Sequence, residues 1–350
     1  MSFLKPSFRH PQAPTNSLGL TTRAYEGAIS TLCAGCGHDS ISAAIIQAVW
    51  GLGIAPHRVA KMSGIGCSSK SPNYFLNRAH GFNSVHGRMP SVTTGANVAN
   101  RELLYIGVSG DGDTASIGMG QFAHVIRRNL NMLYLVENNG CYGLTKGQDS
   151  ATADEGSANK KGRLNPYSAI DLVSLALDLG ATFVARSFSG DKEQLVPLMQ
   201  AAMSHKGFAL IDVVSPCVTF NNHAGSTKSY DYTREHVEAA AVVDFVPMAQ
   251  EISLEQLQGT TQSVDLHNGD RVQLSKLAKD YDPSDRRAAF NTVRDHKENN
   301  RLLTGLIYID PDANNFHETL KLPQKPLNAF AQTELCPGAD ALADINSGLK

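Results

Sequence analysis

Two short apolar runs, Leu103–Val108 and Met132–Val136, constrain this chain more than any other feature. Each is nearly continuous rather than alternating, the pattern of a strand buried on both faces in a parallel sheet. Each also stops at a polar cluster, Gly110-Asp-Gly-Asp113 after the first and Glu137-Asn-Asn139 after the second. Strands of this kind need helices on both sides of the sheet, and the sequence supplies them. Ile41, Ala44, Ile45, Ala48 and Val49 fall at helical spacing behind Asp39 or Ser40, either of which can cap the free N–H groups. Met119, Phe122, Ala123 and Ile126 mark a second helix, and Leu172–Leu179 and Lys192–Met203 read as two more, while Val59–Met62, Ala181–Ala185 and Phe208–Val214 read as strands. The alternation predicts a doubly wound, mostly parallel α/β domain over residues 26–220. A Pro-rich arm, residues 1–25, precedes it. An irregular C-terminal extension, residues 221–350, follows and is assigned to contacts between subunits. Within that extension Val237–Val246 reads as a helix stopped by Pro247, and Leu303–Ile309 as a strand. Glu155–Arg163 reads as a mobile surface loop.

Composition narrows the class. Of 350 residues, 42% are apolar and 18% charged, with a formal net charge of −2. That is an ordinary globular balance and argues against nucleic acid as the main ligand. No apolar run approaches the roughly 20 residues of a membrane span. Pro6, Pro11 and Pro14 interrupt the N-terminus, so no signal peptide and a cytoplasmic location are expected. In such a compartment six cysteines point to metal or cluster ligation rather than to disulfides.

In open α/β sheets ligands sit beyond the carboxyl ends of strands, and Cys67, Asp111, Asn139 and Cys217 all follow predicted strand ends. A diphosphate bound through Mg²⁺ needs oxygen ligands in near-octahedral geometry. Asp111 offers a carboxylate, Asn139 an amide oxygen and Cys141 its backbone carbonyl. Gly110 and Gly112 let the backbone approach the anion, and the next helix points its N–H groups at it. A dinucleotide site is the competing reading, since Gly110-x-Gly112-x-x-Ala115 also follows a strand and Glu137 is placed to serve as the ribose acid. A carboxylate inside the glycine turn would repel a bare pyrophosphate, however, and the Asn138-Asn139 pair would have no role. The reading is therefore thiamine diphosphate held through Mg²⁺.

The segments Ser63-Gly-Ile-Gly-Cys-Ser68, His86-Gly-Arg88, Tyr142-Gly-Leu-Thr-Lys-Gly-Gln148 and Ser215-Pro-Cys217 narrow this further. Together with the Asp111–Asn139 spacing, they resemble the beta subunits of 2-oxoacid:ferredoxin oxidoreductases, in the family's order. Tyr281-Asp-Pro-Ser-Asp-Arg286 and Thr304-Gly-Leu-Ile-Tyr-Ile-Asp310 resemble the 2-oxoglutarate-type members. The resemblance implies the diphosphate-binding module of the thiamine diphosphate fold. Cofactor contacts would come from Ile65, Gly66, His86, Gly110, Asp111, Gly112, Asp113, Asn139, Cys141, Gly143, Leu144 and Thr145. It also implies one [4Fe–4S] cluster on Cys33, Cys36, Cys67 and Cys217, four thiolates being what such a cluster takes. Ala34 stands where many members have proline, and Cys141 and Cys336 are left over as thiols. A structural Zn²⁺ on the same four cysteines remains an alternative.

In family terms the reaction is a reversible, coenzyme A-dependent oxidative decarboxylation of a 2-oxoacid, with electrons passing through the cluster to ferredoxin. The carboxylate that activates the aminopyrimidine comes from a pyrimidine-binding domain. This chain has no room for one, so an alpha subunit is implied. Lys70 would pair with the distal carboxylate of 2-oxoglutarate, and Leu144 would set the width of the substrate pocket. Pyruvate or branched-chain specificity, or a non-redox thiamine lyase or synthase, are the alternatives. His38 and His223 read as capping or loop residues.

Overall fold

The computed structural model describes residues 12–159, 161–246, 261–265, 271–276 and 281–349. Residues 1–11 of the Pro-rich arm and the predicted stop at Pro247 lie outside them. Helix α1 (Gly37–Gly51) precedes β1 (Val59–Ser63), a short 3₁₀ turn over Ser68–Asn73, β2 (His80–Asn83) and α2 (Met89–Ala99). Strand β3 (Leu104–Gly110) leads through a π-helical turn at Gly112–Ile117 into α3 (Met119–Arg128) and β4 (Met132–Asn138). A short hairpin, β5 (Cys141–Tyr142) and β6 (Gln148–Asp149), follows. Next come α4 (Leu172–Asp178), β7 (Phe183–Phe188), α5 (Lys192–Ser204) and β8 (Phe208–Val214). The C-terminal part holds α6 (Tyr230–His236), β9 (Val237–Val246), β10 (Thr261–Asp265), β11 (Arg271–Lys276), α7 (Arg286–Glu298) and β12 (Leu302–Ile309). Three short helices close the chain, α8 (Phe316–Thr319), α9 (Gln332–Leu335) and α10 (Gly338–Gly348).

The sheet runs β10-β11-β9-β12-β7-β8-β4-β3-β1-β2. From β2 to β7 every neighbouring pair is parallel, as the continuous apolar runs require. Side chains alternate between two cores. Leu133 and Leu135 face α1 and α5, while Met132, Tyr134 and Val136 face α3 and α4. Phe122, Tyr134 and Phe208 pack edge-on or tilted, with ring centres 5.5–6.2 Å apart.

The extension contributes to this sheet. Leu302–Ile309 is a strand, as read from sequence, and pairs antiparallel with β7. Val237–Val246 is a strand and not the expected helix. It lies parallel to β12 and antiparallel to β11. The alanines of Glu238-Ala-Ala-Ala241 favour a helix locally, but four valines and two hydrogen-bonding neighbours decide for strand. The loop at Glu155–Arg163 is held by an Ala158–Leu164 bridge and by the Asn159 side chain, which accepts from the Lys161 and Arg163 N–H groups. Among the described residues no helix is long and apolar enough to cross a membrane.

Candidate active site

The site forms where β1, β3, β4 and β8 end side by side. Helix α1 begins at Gly37, earlier than the caps Asp39 or Ser40 would place it, with Cys36 in the capping position and no side-chain cap. Glycine is required there. A Cβ on Gly37 would lie 2.6 Å from Ser215 Oγ and 2.7 Å from Ser189 Oγ. The bare backbone instead packs against Ser215-Pro216, and the Gly37 N–H donates to the Pro216 carbonyl at 3.3 Å. That contact brings the Cys33–Cys36 turn against Cys217.

Asp111 follows β3 directly and is 1% exposed. Its carboxylate accepts from the Ser150 hydroxyl, from Thr152 Oγ1 at 2.6 Å and from the Asn139 N–H at 3.4 Å. Burial raises its pKa against these donors, so a cation beside it would be strongly favourable. The two asparagines after β4 part company. Asn138 turns away and donates to Asp212 Oδ1 at 3.0 Å, inside a buried group in which Arg186 holds both Asp171 and Asp212. Asn139 stays at the site, its side-chain oxygen accepting from the Cys141 N–H at 3.0 Å. Asp113 acts on the protein itself. It accepts from the Gly87 N–H at 2.8 Å and from Ser109 Oγ at 3.0 Å, pinning the loop that carries His86.

These groups enclose a cavity of about 310 Å³. Its wall contains Ile65, Gly66 and Cys67 from the end of β1, His86, the whole of Gly110–Asp113, Asn139, Cys141, and Gly143, Leu144 and Thr145 from the β5–β6 hairpin. Each residue named above as a cofactor contact lies on that wall. Among the described residues, three of those lining it are buried acids, Asp111, Asp113 and Glu137, and none is lysine or arginine.

Glu137 and His38 also line the cavity; the sequence offers Glu137 only as the ribose acid of the competing dinucleotide reading and gives His38 no part in it. Glu137 is fully buried, takes the Ser71 hydroxyl at 3.0 Å on one oxygen and has no partner for the other. Burial pushes its pKa well above the usual carboxylate range. His38, expected as a capping or loop residue, is buried instead. Its Nδ1 is 2.6 Å from Ser215 Oγ and 3.5 Å from Glu137, and burial lowers its pKa to about 4. His223 is an exposed loop residue, as expected. Ser150 and Thr152 also escape a reading of the sequence, since two hydroxyls in a loop carry no periodic signal.

The four candidate cluster ligands gather at one corner. A methyl group on Gly143 would lie 3.3 Å from Cys67 Sγ and 3.7 Å from Cys217 Sγ, and Cys67 lies within electrostatic range of Cys217 and Cys33. Burial raises the Cys36 thiol to about 12. Cys217 is lowered to about 6, chiefly by a hydrogen bond from the Cys141 thiol and also by the N–H groups of Thr219, Phe220 and Asn221. The Cys141 thiol, a spare by sequence, thus contacts a candidate ligand. Cys336 is exposed in the tail. Among the described residues no three His, Cys, Asp or Glu side chains converge as a single-ion site would. Lys70 does not line the cavity. It lines a separate, open pocket on the other side of the Ser68–Asn73 turn.

Residues 62–213 match the family model described as the C-terminal TPP binding domain of thiamine pyrophosphate enzymes. Residues 271–325 match the model for the C-terminal part of the pyruvate ferredoxin oxidoreductase beta chain. The chain is 42% identical over 191 residues to a 2-oxoacid:ferredoxin oxidoreductase subunit beta from a Sulfolobus species, a match covering 54% of this chain and 63% of that one. It is 38% identical over 192 residues to the 2-oxoglutarate synthase subunit KorB of Methanocaldococcus jannaschii, covering 54% and 69%. Among solved structures it resembles a 2-oxoglutarate:ferredoxin oxidoreductase from Magnetococcus marinus with 2-oxoglutarate, coenzyme A and succinyl-CoA bound. The TM-score is 0.73 and the identity 29%, with 93% of this chain and 96% of that chain covered.

Proposed function

The chain belongs to the beta subunits of the 2-oxoacid:ferredoxin oxidoreductases, and from that membership we propose that it is the thiamine-diphosphate- and cluster-binding half of an enzyme oxidising 2-oxoglutarate to its coenzyme A thioester and CO₂. Electrons leave through one [4Fe–4S] cluster to ferredoxin. The observation that carries this reading is the charge of the cavity. Among the described residues, a diphosphate would enter a space lined by the buried Asp111 and Asp113 and by no lysine or arginine, so a cation has to stand between them. Asp111, the Asn139 amide and the Cys141 carbonyl are the oxygens for Mg²⁺. Asp111 is already braced by Ser150 and Thr152, which fix its orientation before any ion arrives.

When bound, thiamine diphosphate supplies the carbanion chemistry and the cluster the one-electron transfers. The chain's own residues position and shield. Asp113 holds the His86 loop, the hairpin places Gly143–Thr145 at the cavity mouth, and Leu144, 45% exposed, borders the space for substrate. Cys33, Cys36, Cys67 and Cys217 would hold the cluster, with Cys141 and three backbone N–H groups stabilising the Cys217 thiolate. An alpha subunit that bears the pyrimidine-binding domain and its activating glutamate completes the site.

Assay of 2-oxoglutarate oxidation with coenzyme A and ferredoxin tests the proposal. The chain combined with its alpha partner is expected to turn over, and the purified chain alone to be inactive. Turnover by the single chain, or no 2-oxoacid oxidation by the heteromer, would overturn it.

A further inference from the structure

Asn221 stands between the two groups of candidate ligands and belongs to neither. It lies in the loop that follows β8, just beyond Cys217, and is 7% exposed. Its side-chain Nδ2 donates to the Asn139 carbonyl at 2.8 Å. Its backbone N–H donates to the Cys217 carbonyl at 3.0 Å and is among the N–H groups that stabilise the Cys217 thiolate. One buried residue thus holds a candidate magnesium ligand with its side chain and a candidate cluster ligand with its main chain.

The turn at 139–141 is shaped to receive this amide. Gly140 has φ +72°, the left-handed region, and a Cβ on it would lie 2.7 Å from Asn221 Nδ2. Glycine there both permits the turn and leaves room for the amide. The turn is held on its other side as well. The Ser150 N–H donates to the Gly140 carbonyl at 3.2 Å, and the Ser150 hydroxyl donates to Asp111. The two loops meet again where the Ser215 N–H donates to the Asn138 carbonyl at 2.8 Å. The turn at 139–141 is therefore stitched between the Asp111 carboxylate and the cysteine loop, and Asn221 is the side chain that makes the second stitch.

We propose that Asn221 is a positioning residue that joins the turn at 139–141 and the Cys217 loop into one unit, so that cofactor loading and cluster reduction depend on each other. This rests on the functional reading above and adds to it a coupling between the two groups. Asn221 does not itself line the cofactor cavity. It acts through the Asn139 backbone, which aims the Asn139 amide oxygen, and through the loop that carries Cys217. A displaced Cys217 loop changes the hydrogen bonds at that sulfur, and such bonds help to set a cluster's potential. The coupling is reciprocal by linkage. A filled diphosphate site that changes the ease of cluster reduction has its own affinity changed by reduction, by the same factor.

The test compares the wild-type heteromer with Asn221→Leu, Asn221→Gln and Gly140→Ala. Leucine keeps the shape and removes the donor, glutamine keeps an amide, and alanine at 140 displaces the amide of an intact Asn221. Calorimetry reads thiamine diphosphate affinity with Mg²⁺. EPR reads the reduced-to-oxidised ratio of the cluster at a fixed potential, with and without the cofactor. In wild type the cofactor should change that ratio about fivefold. Asn221→Leu and Gly140→Ala should bind the cofactor about tenfold more weakly, keep wild-type iron content and lose the cofactor's effect on the ratio. Asn221→Gln should recover part of both. Gly140→Ala should add little in the Asn221→Leu background, because both act on one contact. A residue that only fills space would tolerate leucine and leave the response in place. Wild-type cofactor affinity in Asn221→Leu, a ratio that still responds there, or a wild-type cluster indifferent to the cofactor would overturn the coupling. Loss of iron from all three variants would also overturn it, by reducing the contact to a role in assembly. Should wild type bind no thiamine diphosphate or hold no iron, the functional reading fails on its own. Amide hydrogen exchange of the full chain then decides whether the loops form one unit. Faster exchange at both 139–141 and 215–221 in Asn221→Leu sustains it, and a change at 215–221 alone, or none, overturns it.

Discussion

The cofactor cavity and the lysine pocket lie on either side of one turn, Ser68–Asn73, and are electrostatic opposites. The cavity is backed by the ends of parallel strands, and among the described residues its wall holds three buried acids and no lysine or arginine. The pocket is lined by Lys61 of β1 and by Lys70 and Asn73 of the turn, and among the described residues it has two lysines and no acidic side chain on its wall. Each is unbalanced as the chain stands, and the imbalance indicates what each is built to receive. On the proposed reading the acidic cavity would accept a diphosphate only together with a cation. The basic pocket would accept an anion directly. A substrate with a reactive end and a charged end fits such a pair, with the turn between the two sites fixing the span.

The sharpest break between the regions is expected at the cysteines. Serine in place of Cys217 or Cys67 should abolish the cluster, read as loss of bound iron and of the EPR signal of the reduced protein. Serine at the exposed Cys336 should leave both intact. Retention of the signal without Cys217, or its loss without Cys336, would move the cluster away from the cavity corner.

A smaller effect is expected across the turn. Lys70→Ala removes one charge-assisted hydrogen bond, about 1.5–3 kcal/mol, and should lower kcat/KM for 2-oxoglutarate roughly tenfold to a hundredfold. Pyruvate has no distal carboxylate and should be much less affected. Equal losses with the two substrates would show that the lysine pocket does not read the second carboxylate.

The smallest effect is one of stability. Burial lowers the folded pKa of Lys61 to about 8 from its ordinary 10.5, so between these values the unfolded chain binds more protons than the folded one. Stability therefore rises with pH across that window and lacks this contribution below it. Wild type minus Lys61→Met in urea unfolding should show a rise on the order of 2 kcal/mol between pH 8 and pH 10.5. A flat difference would mean that Lys61 is not buried as a charge, and the contrast between the two pockets would weaken.

Sequence is informative in this chain where burial is continuous and uninformative where packing decides. Leu103–Val108 and Met132–Val136 announce their strands because both faces are buried, and the residues beyond their ends line the cavity because strand ends define it. Val237–Val246 reads as a helix because its alanines favour one, and only β11 and β12 turn it into a strand. The early start of α1 depends on Ser189 and Ser215 leaving room for glycine alone at position 37, a contact between distant segments. Ser150 and Thr152 reach Asp111 from a loop whose path no local pattern encodes. A lysine in a strand suggests an exposed edge. That Lys61 is buried follows from the turn folding its carbonyls over the ammonium.

If the acidic cavity takes a diphosphate only through a metal ion held by Asp111, cofactor binding must depend on both the ion and that carboxylate. Calorimetric titration of thiamine diphosphate into the apo-heteromer, with Mg²⁺ and with EDTA, tests it for wild type and for Asp111→Ala. Wild type is expected to bind saturably and only with Mg²⁺, and Asp111→Ala not to bind even with Mg²⁺, while its iron content stays at the wild-type level. Binding of undiminished affinity in EDTA, or in the Asp111→Ala protein, would contradict it.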